Sequence, residues 1–253
     1  MFRDTIFRDG GWYRSILYAP AHRDNLESVF ANTPADVVML DLEDGVPLAD
    51  KPAARVKATA LAKQDWPPLV ALRVNKADSG MIPEDMECFG PGIGAVILPK
   101  AERAADLQDI DRRLTEKEKA LGIAVGRTKI IGLVESCLGA LEAASLARAT
   151  PRLLTLGIGA SDFMADIGSP VSRATLDPEA LSLPRRMLVL AARAAGLSGP
   201  FDGGQFPPGR PGWGEACDMV RRIGFQGKVC FDDAQAAEAN AVFAARDGEI
   251  LRL

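Results

Sequence analysis

The stretch Ala35–Arg55, ADVVMLDLEDGVPLADKPAAR, decides the fold. Its first part, Asp36–Leu42, is an almost unbroken apolar run rather than an alternating one, which is the pattern of a strand covered on both faces, as in a parallel sheet. The run ends in the acidic cluster Asp41-Leu42-Glu43-Asp44, passes a Gly/Pro turn and enters a helical stretch, Asp50–Lys63.

The same unit recurs in both directions along the chain. Strand candidates are Ser15–Ala19, Asp36–Leu42, Leu69–Val74, Ala95–Leu98, Lys129–Val134, Leu153–Leu156, a weak one at Gly199–Asp202, and Lys228–Phe231. Helical stretches lie between and after them: His22–Ala31, Asp50–Lys63, Glu84–Cys88, Glu102–Leu121, Leu138–Ala147, Pro184–Ala195, Gly214–Ile223 and Asp233–Ala245. Strand then helix, about eight times in 253 residues, is the tally of a (β/α)8 TIM barrel in the α/β class. A doubly wound open sheet would use the same elements; the short third helix and the glycine-rich seventh strand are where the two could part. No linker interrupts the pattern, so residues 1–253 read as a single domain, with 1–13 an N-terminal extension and 232–253 a shortened C-terminal segment.

Composition narrows the chemistry. A chain of this length buries a full core without staples. The net charge of −4 speaks against nucleic acid or an anionic membrane as the main partner. A single histidine, His22, excludes any zinc site with two or three His ligands. The four cysteines, at 88, 137, 217 and 230, form no Cys-x-x-Cys pair and read as reduced core residues. The N-terminus lacks the apolar segment of a signal peptide and no run is long enough to span a membrane, so a cytoplasmic protein is expected.

In a parallel barrel the active site gathers where the strands end. The polar residues there are Asp41, Glu43 and Asp44, then Arg73 and Asn75, Lys100, Glu135-Ser136, Ser161-Asp162 and Asp202. Carboxylates converging on one mouth repel unless a cation neutralises them, and an oxygen-rich site without histidine suits Mg²⁺ or Mn²⁺ better than zinc. Arg73 would grip a substrate carboxylate. Structural roles compete: Asp44 and Asp162 precede helical segments and could be caps. Arg73 could pair with the Asp41–Asp44 run, Lys100 could be salt-bridged rather than a Schiff-base lysine, and His22 could be an ordinary loop residue. Glu135 ends the apolar run IIGLV, where capping is less natural and burial without a partner is costly. Gly157-Ile158-Gly159-Ala160-Ser161-Asp162 lacks the third glycine of a dinucleotide fingerprint; its glycines suit a close backbone approach to a ligand.

At these residues the chain resembles the citrate lyase β-subunit-like group of the HpcH/HpaI aldolase superfamily. The matching pieces are RSILYAPAHR (Arg14–Arg23), the Ala35–Arg55 block, LRVN (Leu72–Asn75), AVILPKAE (Ala95–Glu102), IIGLVESCLGAL (Ile130–Leu141), LGIGASDFMADIG (Leu156–Gly168) and IGFQGKVC (Ile223–Cys230). They follow one another in family order over nearly the whole chain.

The resemblance implies a Mg²⁺-dependent carbon–carbon lyase that cleaves or forms a short β-hydroxyacyl-CoA thioester, such as malyl-, citramalyl- or citryl-CoA, giving an acyl-CoA and a 2-oxo acid. It implies metal ligands at Glu135 and Asp162, and Arg73 on the oxo-acid carboxylate. Glu43 and Asp44 then lie around the metal and its waters as catalytic groups beside Arg73. Arg14, Gly159 and Ala160 join Arg73 as expected substrate-binding positions, and a homotrimer or larger homo-oligomer is expected. Two features depart from the family pattern. Phe231-Asp232-Asp233 stands where members usually carry Ile-His-Pro, and little chain follows Phe243 where many continue; Asp247 and Glu249 lie in that remainder. These departures keep two other readings open: a pyruvate-type aldolase acting on free hydroxy-keto acids, and an oxo-acid- or acyl-CoA-binding subunit without turnover.

Overall fold

A computed structural model describes residues 13–169, 179–204 and 206–244 of the protein. The apolar runs become eight parallel strands: β1 (Ser15–Pro20), β2 (Val37–Asp41), β3 (Leu69–Arg73), β4 (Ile93–Leu98), β5 (Lys129–Val134), β6 (Leu153–Ile158), β7 (Phe201–Asp202) and β8 (Gly227–Cys230). They pair in sequence order and β8 closes on β1, so the sheet is a closed barrel and not an open one.

Strand periodicity divides the apolar residues into two cores. One set of side chains, including Val37, Met39, Leu69, Ala71, Ile97, Ile131, Leu133 and Phe201, fills the barrel interior. The alternate set, including Val38, Leu40, Leu72, Val96, Leu98, Ile130 and Leu156, packs outward against the helices. The strands β1 to β6 are therefore largely apolar on both sides, which is why these runs show no alternation.

The helices are α1 (Leu26–Asn32), α2 (Lys51–Leu61), α3 (Ile82–Met86), α4 (Ala104–Ala120), α5 (Cys137–Leu141), α6 (Ala143–Leu146), α7 (Ala160–Asp166), α8 (Ser182–Ala194), α9 (Trp213–Arg222) and α10 (Asp233–Val242). The expected helix Leu138–Ala147 is broken at Glu142 into α5 and α6. Helix α7 was not among the expected helices. Cys88, Cys217 and Cys230 are buried, but Cys137 is exposed at the start of α5, against the expectation of four core thiols.

Two buried charge clusters hold the scaffold. At the N-terminal end of the barrel, Glu118 accepts the backbone N–H groups of Gly126 and Thr128 at 2.8 Å each, and Arg152 clamps it with Nη2 at 2.7 Å. Outside β7, the fully buried Asp202 pairs with Arg185 at 2.9 Å and with Lys228. Of the expected terminal segments, residues 1–12 and 245–253 lie outside the described residues, Asp247 and Glu249 among them.

Candidate active site

The side-chain parity that fills the barrel continues past the strand ends and builds the C-terminal mouth. Asp41 is the hub. Its carboxylate accepts Arg73 Nε at 2.6 Å, the Tyr18 hydroxyl at 3.1 Å, and the backbone N–H groups of Glu43 (2.8 Å) and Gly45 (3.0 Å). One residue of strand register thus fixes the acidic loop, Tyr18 and Arg73 together; Asp41 and Arg73 are direct partners in the β2–β3 pairing. Burial opposes charge at Asp41, but Arg73 outweighs it and holds the carboxyl below the ordinary carboxylate range.

Arg73 also reaches Glu43 Oε2 with Nη1 at 3.3 Å and lies 5.5 Å from the centre of the Tyr18 ring. Lys100 bonds Glu43 Oε1 at 2.6 Å and Asp44 Oδ2 at 2.7 Å. The salt-bridged reading of Lys100 is the one the structure bears out. Burial disfavours its ammonium, but the bonds to Asp44 and Glu43 prevail and raise its pKa. Burial raises Glu43, with Arg73 and Lys100 pulling against it. Behind this layer, the buried Lys51 ammonium donates to the carbonyls of Leu42 (2.7 Å) and Glu43 (2.9 Å) and to Asn75 Oδ1 (2.8 Å). Asn75 is tied in turn to Asp85, and Asp85 to Arg55. The acidic loop is fixed from below by residues of α2 and α3.

Glu135 and Asp162 are arranged differently. Glu135 is buried at the end of β5, and its Oε2 accepts the backbone N–H of Lys100 at 2.9 Å. Its carboxyl passes directly over Gly159: a Cβ built there would lie 1.9 Å from Oε1. Burial, reinforced by the charges of Glu43 and Asp162, pushes the Glu135 carboxyl up to about 8. Asp162 sits in the first turn of α7 and lines the same cavity. Among the described residues no cation forms a salt bridge with either group; the charges of Arg73 and Lys100 act on them only through space. Such a pair is a donor set for a hard divalent cation of the Mg²⁺ type, which takes one or two carboxylates and completes its shell with water and substrate oxygens. No group of three or more His, Cys, Asp or Glu suited to a metal occurs among the described residues. The residues therefore fit Mg²⁺ and not a four-ligand zinc site.

The pair opens on a cavity of about 170 Å³. Its lining combines the polar Tyr18, Asp44, Arg73, Glu135, Ser161 and Asp162 and the glycines Gly159 and Gly203 with the apolar Leu133, Ile158, Phe201, Val229 and Phe231; the Ser161 hydroxyl is buried there without a hydrogen-bond partner among the described residues. On the outer side of Glu135 and Asp162 lies a second depression of about 490 Å³, bordered by Lys76, Lys100 and Arg103.

The expected residues Arg73, Glu43, Asp44, Glu135, Gly159, Ala160 and Asp162 thus come together at one mouth, with Ala160 opening α7 behind Gly159. Arg14 does not. It precedes β1 at the opposite end of the barrel, where its backbone N–H, Nε and Nη2 bind the Asp36 carboxylate at 3.0, 2.8 and 2.7 Å. A residue before a strand faces the N-terminal mouth, so Arg14 is corrected from substrate binding to a scaffold ion pair. Asp162 lies within the helix rather than before it, and the N-cap position of α7 is Gly159. His22 sits in the loop after β1, where its carbonyl accepts Lys57 Nζ at 2.9 Å. The sequence reading missed Lys51, which joins segments far apart in the chain, and the aromatic wall of Tyr18, Phe201 and Phe231. Strand parity was the signal for the wall: Phe201 and Phe231 follow the inward positions of β7 and β8.

A closed parallel barrel with paired carboxylates facing an arginine at its C-terminal mouth is the plan of a metal-assisted barrel enzyme. Residues 14–202 match the HpcH/HpaI aldolase/citrate lyase family, and the chain belongs to it. It is 32% identical over 237 residues to citrate lyase subunit beta of Haemophilus influenzae, spanning 91% of this chain and 79% of that one. Similarity to a (3S)-malyl-CoA thioesterase of Cereibacter sphaeroides is 32% identity over 243 residues, 94% of this chain and 79% of that one. Among solved structures, a citrate lyase beta subunit from M. tuberculosis complexed with oxaloacetate and magnesium superposes with a TM-score of 0.76. It is 28% identical and covers 95% of this chain and 100% of its own.

Proposed function

We propose that this protein is a Mg²⁺-dependent carbon–carbon lyase that cleaves or forms a short β-hydroxyacyl-CoA thioester, with an acyl-CoA and a 2-oxo acid as the other side of the reaction. The observation that carries this reading is the Glu135–Asp162 pair, free of salt bridges among the described residues, on the same small cavity as Arg73. Membership of the family and the relatives named above support it.

Glu135 and Asp162 would hold the metal. When bound, Mg²⁺ supplies Lewis-acid polarisation of the hydroxyl, later keto, oxygen and a template for the oxo-acid half. Arg73, oriented by Asp41, would pair with the carboxylate of that half. Glu43 and Asp44, bound by Lys100, keep the loop that carries them against the cavity. Gly159 leaves the room the Glu135 carboxylate needs. In the cleavage direction the hydroxyl loses its proton and the carbon–carbon bond breaks. The electron pair passes to the acyl half, which then takes up a proton. The interior of the eight-stranded barrel below the site is filled with apolar side chains, so the site has a closed, apolar floor.

In this reading the enzyme is cytoplasmic and works as a homotrimer or larger homo-oligomer. No described helix is long and apolar enough to cross a membrane. The test is release of glyoxylate, pyruvate or oxaloacetate from malyl-, citramalyl- and citryl-CoA and from free hydroxy-keto acids. Asp162→Asn and an EDTA-treated sample are the controls. Cleavage of one thioester, lost in both controls, is the expected outcome. Cleavage of free acids alone would move the reading to a class II aldolase, and binding without turnover to a non-catalytic subunit.

A further inference from the structure

Resting on that reading, we infer that Asp166 is a positioning residue for the metal carboxylates: by closing a hydrogen bond onto the segment that carries Glu135, it sets how far Asp162 stands from Glu135. Its carboxylate accepts the backbone N–H of Cys137 at 2.7 Å. Cys137 opens α5 two residues beyond Glu135, and Asp166 ends α7 four residues beyond Asp162.

The two spacings match. Residues four apart on a helix lie on one face, about 6 Å from each other. Residues two apart in extended chain are separated by about 6–7 Å and face the same way. Ser136, between Glu135 and Cys137, is extended, with φ −142° and ψ 162°. The face of α7 that carries Asp162 therefore also carries Asp166, and the two meet Glu135 and Cys137 side by side. Asp162 and Glu135 border the same two depressions of the mouth. The inner pair consists of two carboxylates, which repel. The outer pair is a hydrogen bond, which holds.

Little else fixes this face of α7. Ala160, Phe163 and Met164 are buried and seat the helix on the core. Its start is fixed where the Gly159 N–H donates to the Val134 carbonyl at 3.0 Å. Among the described residues, the bond from Cys137 to Asp166 is the one side-chain hydrogen bond between α7 and another element. The segment it grips is itself pinned: the Ser136 hydroxyl donates to Glu102 Oε1 at 2.7 Å and accepts the Gly139 N–H at 3.1 Å. Glu135 is held in turn by the Lys100 N–H. Asp166 is exposed, so its bond contributes little to global stability, and its effect falls on the spacing of the pair.

The test is Mn²⁺ binding, followed by electron paramagnetic resonance, on Asp166→Ala and Asp166→Asn, with Asp162→Asn as the ligand control. Asp166→Ala removes the acceptor and is expected to weaken Mn²⁺ binding about tenfold. Asp166→Asn loses the same charge but keeps an acceptor oxygen, and is expected to stay within about threefold of the parent. Melting temperatures in EDTA should agree within about 4 °C among the parent and the two Asp166 variants. Equal Mn²⁺ affinity in Asp166→Ala and the parent overturns the inference. So does equal weakening in both variants, which makes Asp166 a remote charge and not a positioning group. So does a loss confined to temperatures at which Asp166→Ala unfolds. In each of these cases Mn²⁺ binding by the parent, abolished in Asp162→Asn, leaves the lyase reading standing. A parent that binds no Mn²⁺ sinks both.

Discussion

Replacing Gly159 by alanine tests whether the Glu135 carboxylate must lie where it does. Gly159 has φ −94° and ψ 92°, a backbone conformation open to any L-residue, so the substitution carries no backbone penalty. The obstacle is space: the new Cβ would lie 1.9 Å from Glu135 Oε1 and 2.5 Å from both Cδ and Cγ. Ordinary contact needs about 3.5 Å, so the carboxylate has to retreat by roughly 1.5 Å. A misplacement of about 1 Å in a reacting constellation can cost about 100-fold in rate, equivalent to about 2.7 kcal/mol of barrier. The fold should suffer less, because the displaced group is a side chain at the mouth. Overpacking of about 1–3 kcal/mol would lower the melting temperature by roughly 2–12 °C. The assay pairs Mn²⁺ affinity, followed by electron paramagnetic resonance, with turnover of whichever thioester the intact enzyme cleaves. Gly157→Ala is the companion variant. Its Cβ would strike the Phe201 ring at 2.5 Å and Leu133 at 2.8 Å, which crowds the cavity but not Glu135. Gly159→Ala is expected to weaken metal binding and turnover together, Gly157→Ala to raise the KM for the oxo acid at unchanged metal affinity. A folded Gly159→Ala protein with the parent's Mn²⁺ affinity and rate would refute the assignment of Glu135.

Three further outcomes follow from the charge arrangement. Glu135 titrates near 4.5 in the unfolded chain but holds its proton to about 8 in the fold, so folding takes up a proton between these values and the metal-free protein loses stability as pH rises through that window. Glu135→Gln in EDTA should therefore melt higher than the parent at pH 8, by roughly 2–10 °C, and about equally at pH 4.5; a lower melting point at pH 8 contradicts the raised carboxyl. Asp202 shows the opposite sign: burial opposes its charge, but Lys228 and Arg185 hold it below the ordinary 3.8, so its contribution is complete above that value and is lost as pH falls through the depressed one. Asp202→Asn leaves two buried cations unpaired and should cost about 3–5 kcal/mol in urea unfolding at pH 7, with a smaller deficit at pH 3. Glu118→Ala should cost a similar ~3–5 kcal/mol while leaving kcat/KM of the folded protein unchanged, since the Arg152 clamp lies at the opposite end of the barrel; a loss of activity at a temperature where the variant is folded would contradict that separation.

The barrel was legible because its strands are apolar on both faces and short, and because strand ends carry the carboxylates. Where that local signature faded, so did the reading. β7 is only two residues long, and its glycine-rich approach gives little pattern to find. Helix α7 was hidden because the chain turns from the extended Gly159 straight into Ala160 and stops at Gly168, whose φ is +69°. Arg14 belonged to a recognisable motif, but only its place before β1 tells which mouth it faces. Lys51 could not be placed from sequence at all: its three acceptors come from Leu42, Glu43 and Asn75, and nothing local links them.

The departure at Phe231-Asp232-Asp233 becomes intelligible once those three residues are separated by what they touch. Asp232 caps α10, and Asp233 accepts a hydrogen bond from the Thr33 hydroxyl at 2.7 Å. Asp233 thereby ties the last helix to the connection between α1 and β2, so the loss of a rigid proline is met by capping and by that tie. Phe231 alone enters the cavity. The last helix is therefore held without the family's histidine, whose place Asp232 takes as a cap, and at Phe231 one apolar residue stands for another, so the cavity keeps an apolar lining there. Substitutions at Phe231 should accordingly alter which acid is bound before they alter whether metal is held, and substitutions at Asp232 should do neither until α10 loosens. The order of those losses, measured as acid selectivity, Mn²⁺ affinity and melting temperature on the same variants, distinguishes an intact substrate cavity from a decayed active site.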